Sequence, residues 1–308
     1  MSSKTGYPGV MEDLVWLDSI PSELRRPILI AAFAGWSDAG EAASLAVDFL
    51  RRKLNAKVIA EIDPEEYYDF TSIRPQIVLG DSLHRKIRWP RTSISIAHLE
   101  YADRDLIFVK GPEPQLRWKR FSSMLFELAE DFEVEMIVSL GALLADYPHT
   151  RPVRVAATSN HADLIEKQGL IPSGYEGPTG ILGVLTAWFE KGGIPGASLW
   201  ANIPHYVTQT PSPKGARALI ERLMELLEFR IDTLELDLAT AEYDRQISSM
   251  IDNDDEAKAY IAHLEANRDM EQAQNEVPDP KFEQQIESGS IDSLTEEVQN
   301  FLKNHKKE

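Results

Sequence analysis

The segment "AFAGWSDAGEAA" (32–43) places a serine and an aspartate between two glycines, just after an apolar run. This resembles a nucleophile elbow, in which a G-x-S-x-G turn between a strand and a helix exposes a reactive serine. Here Gly35 and Ser37 fit that motif, but Ala39 stands where the second glycine belongs and Gly40 follows one residue later. The displaced glycine argues against a serine nucleophile.

The same turn also has the spacing of a capped helix start. Asp38 and Glu41 form the pattern of a capping box, in which Asp38 accepts from the Glu41 N–H and Glu41 bonds back. Two carboxylates at a helix N-terminus would repel a phosphate, so a hydroxyl, an amine or a cation would suit Asp38 better. Trp36 would form a wall beside this turn.

A better anion site is predicted at "GPTGILG" (177–183). Pro178 suits the first position of a helix, Thr179 supplies a hydroxyl, and the first turn contains no acid. Gly180 and Gly183 lie three residues apart, which puts them on one helix face. They would admit a ligand close to the backbone or, alternatively, let the helix pack tightly on the sheet.

Further polar residues follow the predicted strands, and ligands of open α/β sheets bind at the carboxyl ends of strands. His149 and His205 each follow a proline, and each is either structural or part of a site. Arg117 and Arg151 could bind a carboxylate or phosphate, or could pair with Glu113 or Glu176. The predicted crevice comprises Gly35, Trp36, Ser37, Asp38, Arg74, Glu113, Arg117, His149, Arg151, Glu176, Thr179, Gly180 and His205.

No cofactor or metal is expected at this crevice. The sequence contains neither a P-loop nor a G-x-G-x-x-G fingerprint, and the histidines lack the H-x-x-x-H spacing of a metal site. With no cysteine in 308 residues, disulfides, cysteine nucleophiles and thiolate metal sites are also excluded.

The elements that would position these residues alternate between apolar strands and amphipathic helices. This pattern predicts a three-layer α/β/α sandwich with a mixed sheet. Strands are predicted at 27–35, 57–62, 67–70, 76–79, 86–89, 93–100, 105–110, 135–144, 153–159 and 197–203. Helices are predicted at 38–54, 114–132, 160–168, 178–190 and 213–231, followed by polar helical sequence and a last helix over 290–305.

The composition changes after residue 231, which predicts a sandwich domain (1–231) and an acidic helical extension (232–308). Of the formal net charge of −18, −13 lies in the extension and −5 in the sandwich domain. Such acidity is unsuited to binding nucleic acid. No apolar run is long enough to span a membrane, and the first 27 residues lack the features of a signal peptide, so we expect a cytoplasmic protein.

Five motifs in this order carry a family resemblance: "AGWSDAGEAA", "GPEPQLRW", "PHTRPV", "YEGPTGILGVL" and "ASLWANIPHYV…PSPKGA". Together they resemble the actinobacterial branch of the proteasome assembly chaperone family, the family of the second eukaryotic chaperone. The resemblance covers about residues 15–231 and extends into "AKAYIAHLE" and "SGSIDSLTEEVQNFL". It implies a phosphorylase/hydrolase-like α/β/α sandwich.

Eukaryotic members of that family assemble the proteasome α-ring in pairs and dock through a C-terminal hydrophobic-Tyr-any tripeptide. This chain ends "NHKKE" and departs from that pattern. Two functions are therefore weighed. The first is a protein-interaction or assembly factor that forms homo-oligomers, such as trimers, with proteasome subunits as candidate partners. The alternative is a small-molecule-binding protein or a hydrolase/phosphorylase-like enzyme that uses the crevice.

Overall fold

The structure, a computed structural model, describes residues 10–18, 23–80, 84–207 and 210–274. Within these ranges it contains ten strands and seven α-helices. The strands are β1 Leu14–Trp16, β2 Ile28–Ala34, β3 Lys57–Ile62, β4 Gln76–Leu79, β5 Arg85–Arg88, β6 Thr92–Leu99, β7 Arg104–Pro112, β8 Met136–Ala145, β9 Val155–Thr158 and β10 Gly196–Pro204. The helices are α1 Ala42–Lys53, α2 Trp118–Asp131, α3 Ala162–Gln168, α4 Ile181–Lys191, α5 Pro213–Leu227, α6 Leu234–Ile251 and α7 Asp255–Gln274.

Eight strands form one mixed sheet in the order β1-β3-β6-β7-β2-β8-β10-β9. The central strands β7, β2, β8 and β10 run parallel, and the flanking strands are antiparallel to their neighbours. β4 and β5 pair with each other as a separate hairpin. The predicted mixed α/β sheet is thus confirmed.

Strand β2 shows why the sequence folds into three layers. Its residues alternate between two buried cores: Ile28 and Ile30 contribute to one, and Leu29 and Phe33 to the other. A strand covered by helices on both faces must be apolar at every position, as "ILIAAF" is. Helices α1 and α5 cover the first face, while α2 and α4 cover the second.

The extension helices pack on this body. Leu236 of α6 joins the core beneath α1 and α5. Tyr243 and Ile247 form a small buried cluster with Val207, which follows β10. The predicted helix over 290–305 lies outside the described residues.

One predicted strand is wrong, and one strand was not predicted. The "YYDF" segment is a turn in which Tyr67 and Tyr68 are buried; the Tyr67 hydroxyl donates to Asp13 at 2.5 Å. Its aromatic residues favour a strand in sequence, but they serve as buried anchors here. The three residues of β1 are too few to show a periodic pattern, yet they pair antiparallel with β3.

Candidate functional site

The predicted crevice falls at the carboxyl edge of the sheet, between β2 and β7. These strands are parallel neighbours, with Ala34 opposite Pro112 at their ends. The chain then leaves β2 for α1 on one face and leaves β7 for α2 on the other. Such a divergence is the topological switch point at which open α/β sheets bind ligands.

The N-terminus of α4 packs closely on this edge at Gly180. A Cβ atom added there would lie 2.7 Å from Glu113 Oε1, 2.9 Å from Ser37 Oγ and 3.1 Å from the Trp36 ring. Gly35, with φ of 135°, makes the turn that brings Trp36 and Ser37 over the sheet edge. Five of the predicted residues are therefore neighbours: Gly35, Trp36, Ser37, Glu113 and Gly180.

Glu113 occupies the anion position that the sequence predicted for α4. Its Oε1 accepts a hydrogen bond from the Ile181 N–H at 2.8 Å. The first turn of α4 contains no acid of its own, but Glu113, the residue after β7, supplies one. Thr179 bonds only to the Gly180 carbonyl, at 3.3 Å, among its described contacts. This carboxylate already neutralises the helix end, so a second anion is disfavoured.

Asp38 caps α1, but not through the predicted capping box. Its Oδ1 accepts from the N–H groups of Ala43 at 2.8 Å and Ser44 at 3.2 Å. Glu41 is exposed and adopts a left-handed conformation with φ of 52°, so the helix begins one residue later. Burial raises the pKa of Asp38, and the hydrogen bonds from Ser44 and Ala43 oppose this rise.

Ser37 lacks the partners that a nucleophile needs. It is 2% exposed, and its Oγ makes no hydrogen bond to any described residue. Activation of a serine requires a base within hydrogen-bond reach. Neither His149 nor His205 bonds to Ser37, so the structure, like the displaced second glycine of the motif, argues against a serine nucleophile.

His149 lies instead under the helical extension. Its Nδ1 and backbone N–H both contact the Tyr206 hydroxyl, at 2.9 and 2.7 Å, and its Nε2 lies 3.1 Å from Ser248 Oγ on α6. The Tyr206 hydroxyl accepts from the backbone and can donate to Nδ1, so a neutral ring satisfies every partner. Burial lowers the pKa of His149, in agreement with a neutral ring.

Arg151 and His205 also hold the extension. The Arg151 guanidinium binds Asp269 of α7 with two bonds of 2.9 and 2.7 Å and contacts Glu265 at 3.2 Å. His205 Nδ1 lies 3.1 Å from Asp146, and its ring packs edge-on against Tyr260 of α7. The loops after β8 and β10 thus form a clasp, which we define as His149, Arg151 and His205 with their α6 and α7 partners.

The expected pairing of the arginines with Glu113 or Glu176 is wrong. Arg117 pairs with Glu66 and begins α2 in a left-handed conformation, while Arg151 pairs with the extension. Glu176 is exposed in the segment before α4, and no described residue pairs with it. Arg74 is exposed two residues before β4, at the base of the hairpin.

The partners supplied by the extension were missing from the sequence prediction. Lys214 of α5 joins the clasp by donating to Asp244 of α6 at 2.9 Å and to the His149 carbonyl. The available signal was charge: basic residues in "PHTRP" and "SPKG" face an extension rich in acids. Charge alone, however, does not identify which acid meets which base.

Two open clefts lie away from this edge of the sheet. One, of about 430 Å³, is at the opposite edge of the sheet near Arg26, Glu135 and Lys167. The other, of about 400 Å³, lies between the β4–β5 hairpin and the β1–β3 edge. Among residues 10–274 as described, no group of three His, Asp or Glu side chains is arranged to hold a metal ion, and no helix is both long and apolar enough to cross a bilayer.

Similarities to known proteins agree with this architecture. A PAC2 family protein from Streptomyces avermitilis is 43% identical, with 76% of this chain and 99% of that one aligned and a TM-score of 0.72. A proteasome-assembly chaperone homologue from Mycobacterium tuberculosis is 39% identical over 76% of this chain and 99% of that one, with a TM-score of 0.70. An archaeal proteasome activator from Pyrococcus furiosus, 20% identical over 77% and 97% of the two chains, has a TM-score of 0.61 and shares the fold.

No functionally curated protein shows significant sequence similarity to this chain. The PAC2 family, however, matches residues 32–251, which include the predicted crevice residues, His149, Arg151 and His205 of the clasp, and all of α6, but not α7. The chain belongs to the PAC2 family.

Proposed function

We propose that this protein is an assembly factor for the proteasome that acts as a homo-oligomer in the cytoplasm. The observation that carries the proposal is the 39% identity to a proteasome-assembly chaperone homologue across 76% of the chain. The placement of the predicted site residues supports the proposal. One group lies at the carboxyl edge of the sheet and the other lies in the clasp, so the predicted serine and the two predicted histidines do not form one catalytic site. In this proposal the sandwich domain (1–231) and the extension (232–308) would together bind the proteasome subunit.

Trp36 is our proposed contact for a proteasome subunit. It is 58% exposed at the carboxyl edge, and its ring rests against Gly180. A tryptophan held in one position loses little conformational entropy on binding, which is why tryptophan is enriched among binding hot spots. Leu116, in the loop that follows Glu113, is also exposed and is a second apolar candidate for this contact.

The crevice enzyme remains the weaker candidate. A hydrolase would need a base beside Ser37, and both candidate histidines bond within the clasp. A small-molecule site would have to use Glu113, whose Oε1 is already bonded to the Ile181 N–H. We therefore assign the crevice residues to a protein contact.

The test measures binding of the full chain to purified proteasome α and β subunits, using immobilised subunits and a titration of the chain. Trp36→Ala should weaken binding about thirtyfold or more, which is the usual effect of removing a hot-spot tryptophan. Tyr101→Ala is the matched control, because Tyr101 is fully exposed at the β6–β7 turn on the opposite edge of the sheet. No binding by the wild-type chain, or equal losses for the two variants, would contradict the proposal.

The proposed homo-oligomer is tested separately by light scattering on the full chain. A mass of two or more protomers at micromolar concentration is the expected result. A monomer mass over a hundredfold range of concentration would remove this part of the proposal without affecting subunit binding.

A further inference from the structure

The β4–β5 hairpin presents an apolar surface that no described residue covers. Ile77 and Ile87 are opposite each other in the register, as are Leu79 and Arg85, so all four side chains share one face. Ile77, Leu79 and Ile87 are 65%, 70% and 58% exposed. We call Ile77, Leu79, Arg85 and Ile87 the hairpin surface. Exposed aliphatic side chains clustered on a hairpin mark an interaction site.

The hairpin is also basic within a strongly acidic chain. Residues 74–91 contain five Lys or Arg and one Asp, whereas the whole chain has a net charge of −18. Arg85, Lys86 and Arg88 form no ion pair with any described residue, although Arg91 pairs with Glu61 at 2.7 Å. An occupant of this surface should therefore combine an apolar stripe with acidic residues.

The sequence after α7 has this chemistry. Residues 276–297 contain seven Asp or Glu and one Lys. Within the predicted helix, Ile291, Leu294, Val298 and Phe301 recur at the spacing of one helix face. Asp292, Glu296 and Glu297 lie between these apolar residues, and so would flank the stripe.

The segment can reach the hairpin within one chain. Helix α7 passes over the loop after β8, where Arg268 donates to the Tyr147 hydroxyl at 3.1 Å. The hairpin lies at the same edge of the sheet, between the end of β3 and the start of β6. Strands β8 and β3 are four positions apart, or about 19 Å at ~4.8 Å per strand. Residues 275–290 span up to about 50 Å when extended.

We propose that residues 290–302 bind the hairpin surface of their own chain as an amphipathic helix. The apolar stripe covers Ile77, Leu79 and Ile87, and the acids lie beside Arg85, which shares that face of the hairpin. The inference goes beyond the proposed assembly function, since it concerns a contact within the chain and requires no proteasome subunit.

Hydrogen–deuterium exchange on the full chain tests this contact. In the wild type, amides of 291–302 should exchange at least about tenfold more slowly than in an unstructured chain. The Ile77→Thr/Ile87→Thr variant keeps β-branched residues in the hairpin but removes apolar area, and should reduce this protection about tenfold or more. Leu238→Gln is the matched control, because Leu238 is a similarly exposed aliphatic residue on α6.

A charge exchange keeps the test valid if the hairpin itself is disturbed. Arg85→Glu should accelerate exchange of 291–302, and adding Glu296→Lys/Glu297→Lys should restore protection. Rapid exchange in the wild type, or protection unaffected by the hairpin variants, would overturn the inference. Protection that falls on hundredfold dilution would also overturn it, because the segment would then belong to a second copy.

Discussion

The substitution Gly180→Ala tests the close approach of α4 to the sheet edge. The backbone of Gly180, with φ of −87° and ψ of −176°, is open to any residue, so an alanine brings no torsional strain. Its Cβ would instead lie 2.7 Å from Glu113 Oε1 and 2.9 Å from Ser37 Oγ. Ordinary Cβ contacts begin at about 3.4 Å, so the Glu113 carboxylate and the Ser37 hydroxyl must move away.

The expected destabilisation is about 2 kcal/mol. Forcing one extra methyl group into a packed site typically costs ~1–3 kcal/mol. Displacing Glu113 also weakens the bond to the Ile181 N–H, and the loss of a helix cap costs ~1 kcal/mol. For a chain of this size, 2 kcal/mol corresponds to a fall in Tm of roughly 4–8 °C.

The assay is urea unfolding of the full chain for Gly180→Ala, Glu113→Ala and the double variant. Because Glu113 provides one of the clashes, the double variant should lose about 1 kcal/mol less than the sum of the single losses. Gly169→Ala is the control for coupling: its φ of 63° makes alanine unfavourable there, but no atom lies within 4 Å of the added Cβ, so its loss should simply add to that of Glu113→Ala. If the losses of unfolding free energy for Gly180→Ala and Glu113→Ala simply add in the double variant, the close contact between residue 180 and Glu113 is refuted.

Three further predictions concern titration and helix capping. Burial lowers the pKa of His149 below its ordinary value of 6.5. The contribution of the neutral ring to stability is therefore complete above pH 6.5 and declines as the pH falls through the folded pKa. Urea midpoints measured from pH 7.5 to 5 should show this decline, and the His149→Gln variant should lack it. Burial raises the pKa of Asp38 above its ordinary value of 3.8. The contribution of its carboxyl group to stability is therefore complete below pH 3.8 and declines as the pH rises through the folded pKa. Asp38→Asn keeps an acceptor for the α1 cap and should remove this part of the difference in stability between pH 4 and pH 7 in urea unfolding. Ser212 caps α5, because its Oγ accepts a hydrogen bond from the Gly215 N–H at 3.1 Å. In thermal unfolding, Ser212→Ala should cost ~1 kcal/mol and Ser212→Asp much less. Equal losses for the two variants would show that the cap is not the cause.

The sheet could be predicted from sequence because its strands bury both faces. "ILIAAF" in β2 and "MIVSLGALL" in β8 are apolar at nearly every position, which distinguishes them from the helices around them. Tyr67 and Tyr68 show the limit of this reasoning. Their composition favours a strand, but their role depends on Asp13 and Thr92, which lie far away in sequence.

The crevice could be predicted only in part. Glycines and turn residues locate the strand ends, so Gly35, Trp36, Ser37, Glu113 and Gly180 were identified together. The sequence does not show that Glu113 contacts the N-terminus of α4, a helix that begins almost seventy residues later. The predicted anion site failed for this reason.

The clasp was the least predictable feature. His149, Arg151 and His205 follow strand ends and so were grouped with the crevice. Their partners are Ser248, Asp269 and Tyr260, on helices whose sequence shows little apolar periodicity. Besides the few buried apolar residues such as Tyr243 and Ile247, these helices are held by specific polar contacts, which depend on the tertiary structure rather than on any local pattern.

The most direct test of the assembly function is the rate at which purified α and β proteasome subunits form complete particles. Native mass spectrometry would follow assembly with the wild-type chain, with Trp36→Ala and with Tyr101→Ala. The account predicts faster assembly with the wild type and Tyr101→Ala, and little acceleration with Trp36→Ala. An unchanged assembly rate with the wild-type chain, and no complex with either subunit, would contradict it.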